Sequence, residues 1–527
     1  MYKILSTYFL FLIAFNAFNA FGQFTNIMIS NTNNPEEVSI CINPKNLNQI
    51  VGAANLDNVF RSNDGGVTWS FESVADTMNG VWGDPIIFTD TNGHFFYSHL
   101  SNPPITGSWV DRIVFTKSTD GGITWWENGT STGKNGSKIQ DKQGIVVNQV
   151  TNEIYVTWTQ FDNYNSANIL DSSVILFSKS SDIGMTWSLP IRISKDAGDC
   201  IDGDLTVEGS IPSVGPNGEI YVVWTGPNGL VFNKSLDDGI TWMLQETSVI
   251  DVPGGWNYNI GGLERCNGLP QVVTDLSGGV NNGTIYINWT DQRNGSDDTD
   301  VWLIKSNDGG DSWSSLKRVN DDALGRQQFL TWMTCDQKNG NLHFVFYDRR
   351  NYASTNDSTD VYMAYSNDGG NTIDNYKVNE IGFVPDPNVF FGDYISVSAV
   401  NNMVRPIWMA YGNGTLSVWT ALVDGQVLGL NKESVISTSS ISLSQNTPNP
   451  FYQTTCITFN LKNDSKINLR IYDVLGNEIG VLLKDEFYNS GHYDYVFNAT
   501  TYHLKPGVYY YELNSEEYKI TKKMVVN

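Results

Sequence analysis

Short runs in which apolar and polar residues alternate, each closed by turn formers, fill the chain between residues 24 and 424. Gly144–Val147, Glu153–Thr159 and Val174–Ser178 form one succession, and Ile211–Ser213 followed by Glu219–Thr225 opens the next. A period of two puts alternate side chains on one face, so these runs predict half-buried β-strands. Each succession leads into the same turn. Ser62-Asn63-Asp64-Gly65-Gly66-Val67-Thr68-Trp69 returns as Ser118–Trp125, Ser180–Trp187, Ser235–Trp242, Ser306–Trp313 and, with isoleucine replacing tryptophan, Ser366–Ile373. The repeated aspartates, Asp64, Asp120, Asp182, Asp237, Asp308 and Asp368, are spaced by 56, 62, 55, 71 and 60 residues, a period that accommodates four short strands and their loops. Antiparallel four-stranded repeats stacked radially predict an all-β chain containing a β-propeller. A last group of runs, Tyr394–Val400, Pro406–Tyr411 and Leu416–Val423, has no such turn, and Phe24–Ser30 would supply its fourth strand. That arrangement favours seven blades, with six as the alternative.

Within the turn, the Ser and Asp side chains are expected to accept backbone N–H groups, and the second Gly to take a conformation closed to residues with a Cβ. The Trp is expected to cover the apolar side of its own hairpin. The pattern S-x-D-x-G-x-[TS]-W resembles the Asp-box, or BNR repeat, of the sialidase superfamily, from about Phe24 to Asp424. The resemblance implies a sialidase-like propeller. It leaves glycan hydrolysis and glycan binding both open, because the motif is a structural device in propellers of either kind.

Glycine occupies 48 positions and aromatic residues make up 13% of the chain, which suits strands and tight turns and argues against a mainly helical protein. The formal charge of −24 would repel phosphate backbones and anionic lipid, so nucleic acid is excluded as a partner. Lys3 precedes an apolar run, Ile4–Phe21, and Ala20 and Gly22 place small residues before Gln23; residues 1–22 read as a secretory signal peptide. No later stretch is long and apolar enough to span a bilayer, so no transmembrane segment is expected in the mature chain.

The propeller is expected over residues 23–425, a small polar linker over 426–441, and a compact β-sandwich over 442–527. In this last module, Asn446-Thr447-Pro448-Asn449-Pro450-Phe451, Ile471-Tyr472-Asp473-Val474-Leu475-Gly476 and Pro506-Gly507-Val508-Tyr509 lead to Lys522-Lys523-Met524. Their order and spacing look like the C-terminal sorting domain of the type IX secretion system of Gram-negative bacteria. The resemblance implies the type IX machinery as a partner and export across the outer membrane, followed by release or attachment at the cell surface.

In a four-stranded blade the repeated turns join the third and fourth strands. The loops between second and third strands, and the connections between blades, then share the opposite face. Asp84, Asp141, Glu208, Asn267, Gln328 and Asp393 stand at or just before successive inner strands and are expected to ring the channel mouth on that face. Of these, Asp141, Asn267 and Asp393, with Arg293 from a neighbouring loop, are the expected binding residues.

Sialidases grip a carboxylate with three arginines and use a tyrosine nucleophile with a glutamate partner and an aspartate acid/base. A tyrosine suits an anomeric centre that already bears a carboxylate, where another anion would be repelled. The resemblance carries these roles to Asp84, Glu208, Arg265, Arg349 and Tyr394. The first arginine has no counterpart near Glu36–Ile42. Arg293 and Arg349 also sit in two related loops, Asp291–Asp300 and Asp348–Asp360, where pairing with an aspartate is a structural alternative.

The five histidines show no zinc spacing. Asp196, Asp199, Asp202 and Asp204 crowd the insertion Lys195–Gly209, and hard oxygen ligands at that density suit structural calcium, with a solvated acidic loop as the alternative. No cofactor is required. Cys200 and Cys266 fall in consecutive insertions on the same face and are placed to pair. The sequence therefore describes an exported, cell-surface, sialidase-like propeller that binds an extracellular glycan or other polymer. Hydrolysis stays open, as does a non-catalytic adhesive or structural role.

Overall fold

The computed structural model describes residues 24–425, 428, 441–461, 463–474, 476–515 and 519–527, and the chain separates into compact units at Asp424 and Gly425. The expected signal peptide, and the expected linker apart from Leu428 and Ile441, lie outside the described residues.

The larger unit contains seven four-stranded antiparallel sheets. Their innermost strands, Ser39–Ile42, Gly83–Thr89, Ile139–Val147, Glu208–Val214, Gln271–Thr274, Gln328–Asp336 and Ser396–Val400, touch in succession, and the last returns to the first. Six sheets take their strands in chain order. The seventh takes three strands from the end of the unit and its fourth from Thr25–Ser30, which pairs antiparallel with Thr415–Asp424. Pairing the first strand with the last locks both termini of the unit into one sheet and covers an edge that would otherwise be open.

Six repeated turns join third strands to fourth strands. In the first, the Ser62 hydroxyl donates to Asp64 Oδ1 at 2.8 Å and accepts the Gly66 N–H at 2.8 Å, while Asp64 accepts the Thr68 N–H at 2.9 Å and the Thr68 hydroxyl at 2.5 Å. The degenerate sixth turn keeps the same bonds through Ser366, Asp368, Gly370 and Thr372. The Thr68 hydroxyl and N–H hold Asp64 down at about 2, so the turn keeps its anion across ordinary pH. Gly310 has φ +85°, and a Cβ there would come 2.4 Å from the Phe232 ring, so this position tolerates glycine alone.

Three of the turn tryptophans depart from the expectation that each covers its own hairpin, whereas Trp125 meets Tyr97 of its own sheet at 6.2 Å. Trp187 stacks on Phe115 with ring centroids 4.0 Å apart, Trp242 meets Phe177 at 5.1 Å and Trp313 meets Phe232 at 5.3 Å. Each of these three partners lies on the third strand of the preceding sheet. The reason is area: outer strands such as Ile191–Arg192 and Lys317–Arg318 are two residues long and cannot shelter an indole.

A cationic latch repeats beside these rings. Lys179, Lys234 and Lys305, each immediately before a turn serine, reach the next sheet and donate to the carbonyls of Asp238 (3.1 Å), Gly309 (2.9 Å) and Gly369 (2.7 Å). Arg405 makes the equivalent bond to Gly65 O, at 2.8 Å, across the seam between seventh and first sheets. Lys234→Ala strips the Gly309 carbonyl of its charged donor. It should destabilise the fold by about 1–2 kcal/mol, read as a lower urea midpoint with unchanged m.

The smaller unit pairs Ile441–Leu443, Thr454–Leu461 and Gly491–Asn498 in one sheet and Glu478–Tyr488, Ser465–Tyr472, Gly507–Ser515 and Lys519–Val526 in another. Ile457, Phe459, Ile471, Phe497, Tyr511 and Met524, drawn from both sheets, share one core. Asn527 N–H donates to Phe451 O at 2.8 Å, which ties the proline-rich start of the unit to its last strand.

Candidate functional site

On the face opposite the repeated turns, four inner strands begin with the same irregularity. Their ladders shift register between Gly83 and Ile86, Asp141 and Gly144, Glu208 and Ile211, and Phe329 and Trp332. Inside each shift one residue takes a positive φ: Asp84 (52°), Lys142 (49°), Gly209 (70°) and Leu330 (48°). A bulge breaks the period of two and re-aims the side chains beside it. At Asp84, Lys142 and Leu330 the left-handed backbone costs energy that a glycine would avoid, a kind of strain that collects at working sites.

The bulges and the strands between them wall a cavity lined by Asp84, Lys142, Asn267, Trp332, Asp393 and Tyr394 among others. Among these lining residues Lys142 gathers the acids. Its Nζ lies 2.6 Å from Asp393 Oδ2, 3.1 Å from Asp84 Oδ2 and 3.5 Å from Glu37 Oε1. Arg265 grips Asp393 from the other side, with Nε 2.9 Å from Oδ1 and its second nitrogen on Oδ2, and its guanidinium lies 4.6 Å over the Phe390 ring. Asn267 Nδ2 donates to Asp393 O at 3.0 Å. Asn55 joins the acids, donating to Glu37 through its side-chain amide and accepting the Asp84 N–H at 2.7 Å.

These contacts divide the carboxyls into two populations. Burial opposes ionisation of Asp393, but Lys142 and Arg265 outweigh it and hold the group down at about 2. Burial pushes the half-buried Asp141 up to about 7, with Lys142 opposing and Asp84 and Asp202 adding to the rise. Burial and then Asp84 raise Glu37 well above the carboxylate range. Glu208 is raised likewise by burial and then Asp202, and its Oε2 has no hydrogen-bond partner. Tyr394, its hydroxyl 3.4 Å from Pro85 O, is driven well up by burial and the acids Glu37 and Asp84.

Several sequence expectations converge on this mouth. Asp84, Asn267, Asp393 and Tyr394 line the cavity, Asp141 and Glu208 interact electrostatically with its charged groups, and Arg265 reaches it through Asp393. Arg349 does not reach it. Its guanidinium donates to Gly261 O (2.7 Å), Gln327 Oε1 (3.0 Å), Thr359 Oγ1 (3.2 Å) and Asp357 Oδ1 (3.3 Å), which spends it on holding loops together. Arg293 takes the structural alternative too, donating to Asp291 Oδ1 at 2.9 Å beneath a face of Trp302.

The four loop aspartates part company. Asp196 accepts from Asn228 at 2.8 Å, Asp199 from Thr206 at 3.1 Å and Asp204 from the Asn257 N–H at 2.8 Å, while Asp202 turns inward to the Tyr164 hydroxyl. Among the described residues no group of three or more His, Cys, Asp or Glu side chains is placed to hold a metal. Cys200 and Cys266 are both free and buried. Each sits in its own local ladder, Cys200 opposite Ser166 and Cys266 opposite Tyr258, which corrects the expected pairing.

The larger unit is thus a ring of β-sheets with an acidic mouth, joined to a small all-β unit. Residues 447–527 of the latter match the family described as the secretion system C-terminal sorting domain. This unit is a type IX sorting domain: it implies interaction with the secretion machinery and sends the chain to the cell surface or beyond it. A search of curated proteins finds no match to the chain. Among solved structures, the chain is similar to the NanB sialidase from Streptococcus pneumoniae (11% identity, 67% of this chain and 69% of that one, TM-score 0.43). It is also similar to an α-L-arabinanase from Penicillium chrysogenum (12%, 76% and 98%, 0.42) and to a leech intramolecular trans-sialidase (13%, 67% and 70%, 0.42). Among the described residues no helix is long and apolar enough to cross a membrane.

Proposed function

We propose that the larger unit is a seven-bladed propeller whose mouth binds and hydrolyses an extracellular glycan that is uncharged at the reacting sugar, and that the smaller unit is a β-sandwich serving export. The observation that carries this reading is the pairing of Asp141, held at about 7, with the Asp84 carboxylate, which is gripped by Lys142 at 3.1 Å. Glycoside hydrolysis needs one carboxyl that still holds a proton and another that has lost it. Asp141 would protonate the leaving oxygen, and Asp84 would act as base or nucleophile.

Charge argues for a neutral sugar. Lys142 contacts Glu37, Asp84 and Asp393, and Arg265 contacts Asp393, so both cations are already engaged by acidic side chains. A sialoside would bring another anion to a mouth where Arg349 is occupied, Tyr394 is held protonated, and the acid Glu37 stands where the first sialidase arginine is expected. Chromogenic α-L-arabinofuranosides, β-xylosides and β-glucosides, assayed beside a fluorogenic sialoside, test this. Turnover of a neutral glycoside with none of the sialoside is expected, and sialoside cleavage would overturn the reading. The closed ion pair between Lys142 and Asp393 favours an adhesive module as the second reading, and saccharide binding without any turnover would select it.

A further inference from the structure

Beside the mouth, three aromatic side chains form a row. Trp82 immediately precedes the inner strand Gly83–Thr89, Trp109 lies in the loop between the second and third strands of the same sheet, and Tyr164 lies in the corresponding loop of the next sheet. All three therefore belong to the face opposite the repeated turns. The Trp82 and Trp109 rings meet edge to face at 5.3 Å, and Trp109 meets Tyr164 in the same manner at 6.4 Å. Trp82 is 38% and Trp109 39% exposed, and neither indole N–H has a partner among the described residues. Edge-to-face contact fixes each ring while leaving a face open, unlike the turn tryptophans wedged between sheets.

The row is held in place. Trp82 N–H donates to Leu100 O and Val110 N–H to Ser101 O, both at 2.9 Å. Val110, next to Trp109, takes φ 47°, a conformation that β-branched residues avoid and that persists only when the surroundings impose it. Tyr164 leans on Phe161 at 5.1 Å and donates its hydroxyl to Asp202, the acid that raises Glu208 at the mouth. The row is therefore continuous with the acidic site.

We propose that Trp82, Trp109 and Tyr164 are a stacking platform for successive sugar rings of a neutral polysaccharide, so that the ligand of the mouth is a chain and not a single residue. The proposal rests on the glycan reading of the mouth. Open aromatic faces accept the C–H faces of sugars, free indole N–H groups and nearby carboxylates serve hydroxyls, and the acidic surroundings turn away anionic polymers and anionic lipid.

Calorimetric titration of the full chain with disaccharides and hexasaccharides of xylan, linear arabinan and laminarin tests it. One hexasaccharide should bind more tightly than its disaccharide. The double variant Trp82→Ala/Trp109→Ala should lose about tenfold in hexasaccharide affinity and erase that difference, while Trp82→Phe/Trp109→Phe keeps most of it. Equal affinities for long and short sugars, or a difference that survives in the alanine variant, overturn the platform and leave the mouth reading standing. Platform-dependent binding with no turnover of any glycoside overturns hydrolysis at the mouth and supports the platform. Failure of all six sugars to bind overturns both.

Discussion

Asp141→Asn should lower kcat/KM on a neutral glycoside by about 10²–10⁴-fold, the usual cost of removing a general acid. The same substitution should leave the fold no less stable. Burial lifts Asp141 to about 7, so above that pH the folded protein carries an anion it would hold more easily unfolded, and the amide relieves this. Lost activity with retained or improved stability separates a role in chemistry from one in the scaffold. The wild-type profile should fall on its alkaline side near the Asp141 value, because the acid form disappears there. A variant rate within about tenfold of wild type would remove Asp141 from the mechanism.

The repeated turns made most of the larger unit legible. A turn that reuses the same Ser, Asp, Gly and Thr bonds marks the end of the third strand in six sheets, and even the degenerate copy at Ser366 forms them. The side of the ring that carries the unusual residues followed from strand order alone. What did not follow was which side chain faces the cavity. Gln328, expected at the mouth, instead accepts from Asn320 at 2.7 Å, and Leu330, Thr331 and Trp332 line the wall. The cause is the shift between Phe329 and Trp332, since one extra residue in a strand exchanges its two faces and leaves no trace in an alternating pattern. Lys142 was missed for the same reason, because its orientation comes from a bulge at φ 49°. Glu37 lies in Glu36–Ile42, where the resemblance implies an arginine, and its charge is opposite to the one expected there. The latch lysines did carry a signal, a basic residue directly before the turn serine, as in Lys179-Ser180 and Lys234-Ser235. Its purpose shows only when neighbouring sheets are in place.

Lys142→Ala should be the most destabilising single change at the mouth, about 3–5 kcal/mol at pH 7, because it leaves Asp84, Asp393 and Glu37 together in a poorly solvated site without their shared cation. Alanine has a Cβ like lysine, so the strain of the left-handed backbone is common to both proteins and cancels in the comparison. The pH dependence identifies the origin. In the wild type, the depressed Asp393 contributes stability that is present above the ordinary carboxylate value of about 4 and lost as pH falls toward its folded value of about 2. The raised Lys142 contributes stability that is full below the ordinary lysine value of about 10 and lost only as pH rises through its higher folded value. Asp141, Glu37 and Glu208 act oppositely, since each is raised and its ionisation erodes stability as pH climbs above about 4. Wild-type stability should therefore peak in mild acid, near about pH 4–5, and decline toward neutrality. In Lys142→Ala that decline steepens, so the deficit measured by urea unfolding with tryptophan fluorescence should be largest at pH 7 and shrink in mild acid as the stranded acids take up protons. Adding Asp393→Asn should recover part of the loss at pH 7, although Arg265 then loses its own partner. A deficit of equal size at both pH values would mean that Lys142 supports the mouth by packing and not by charge.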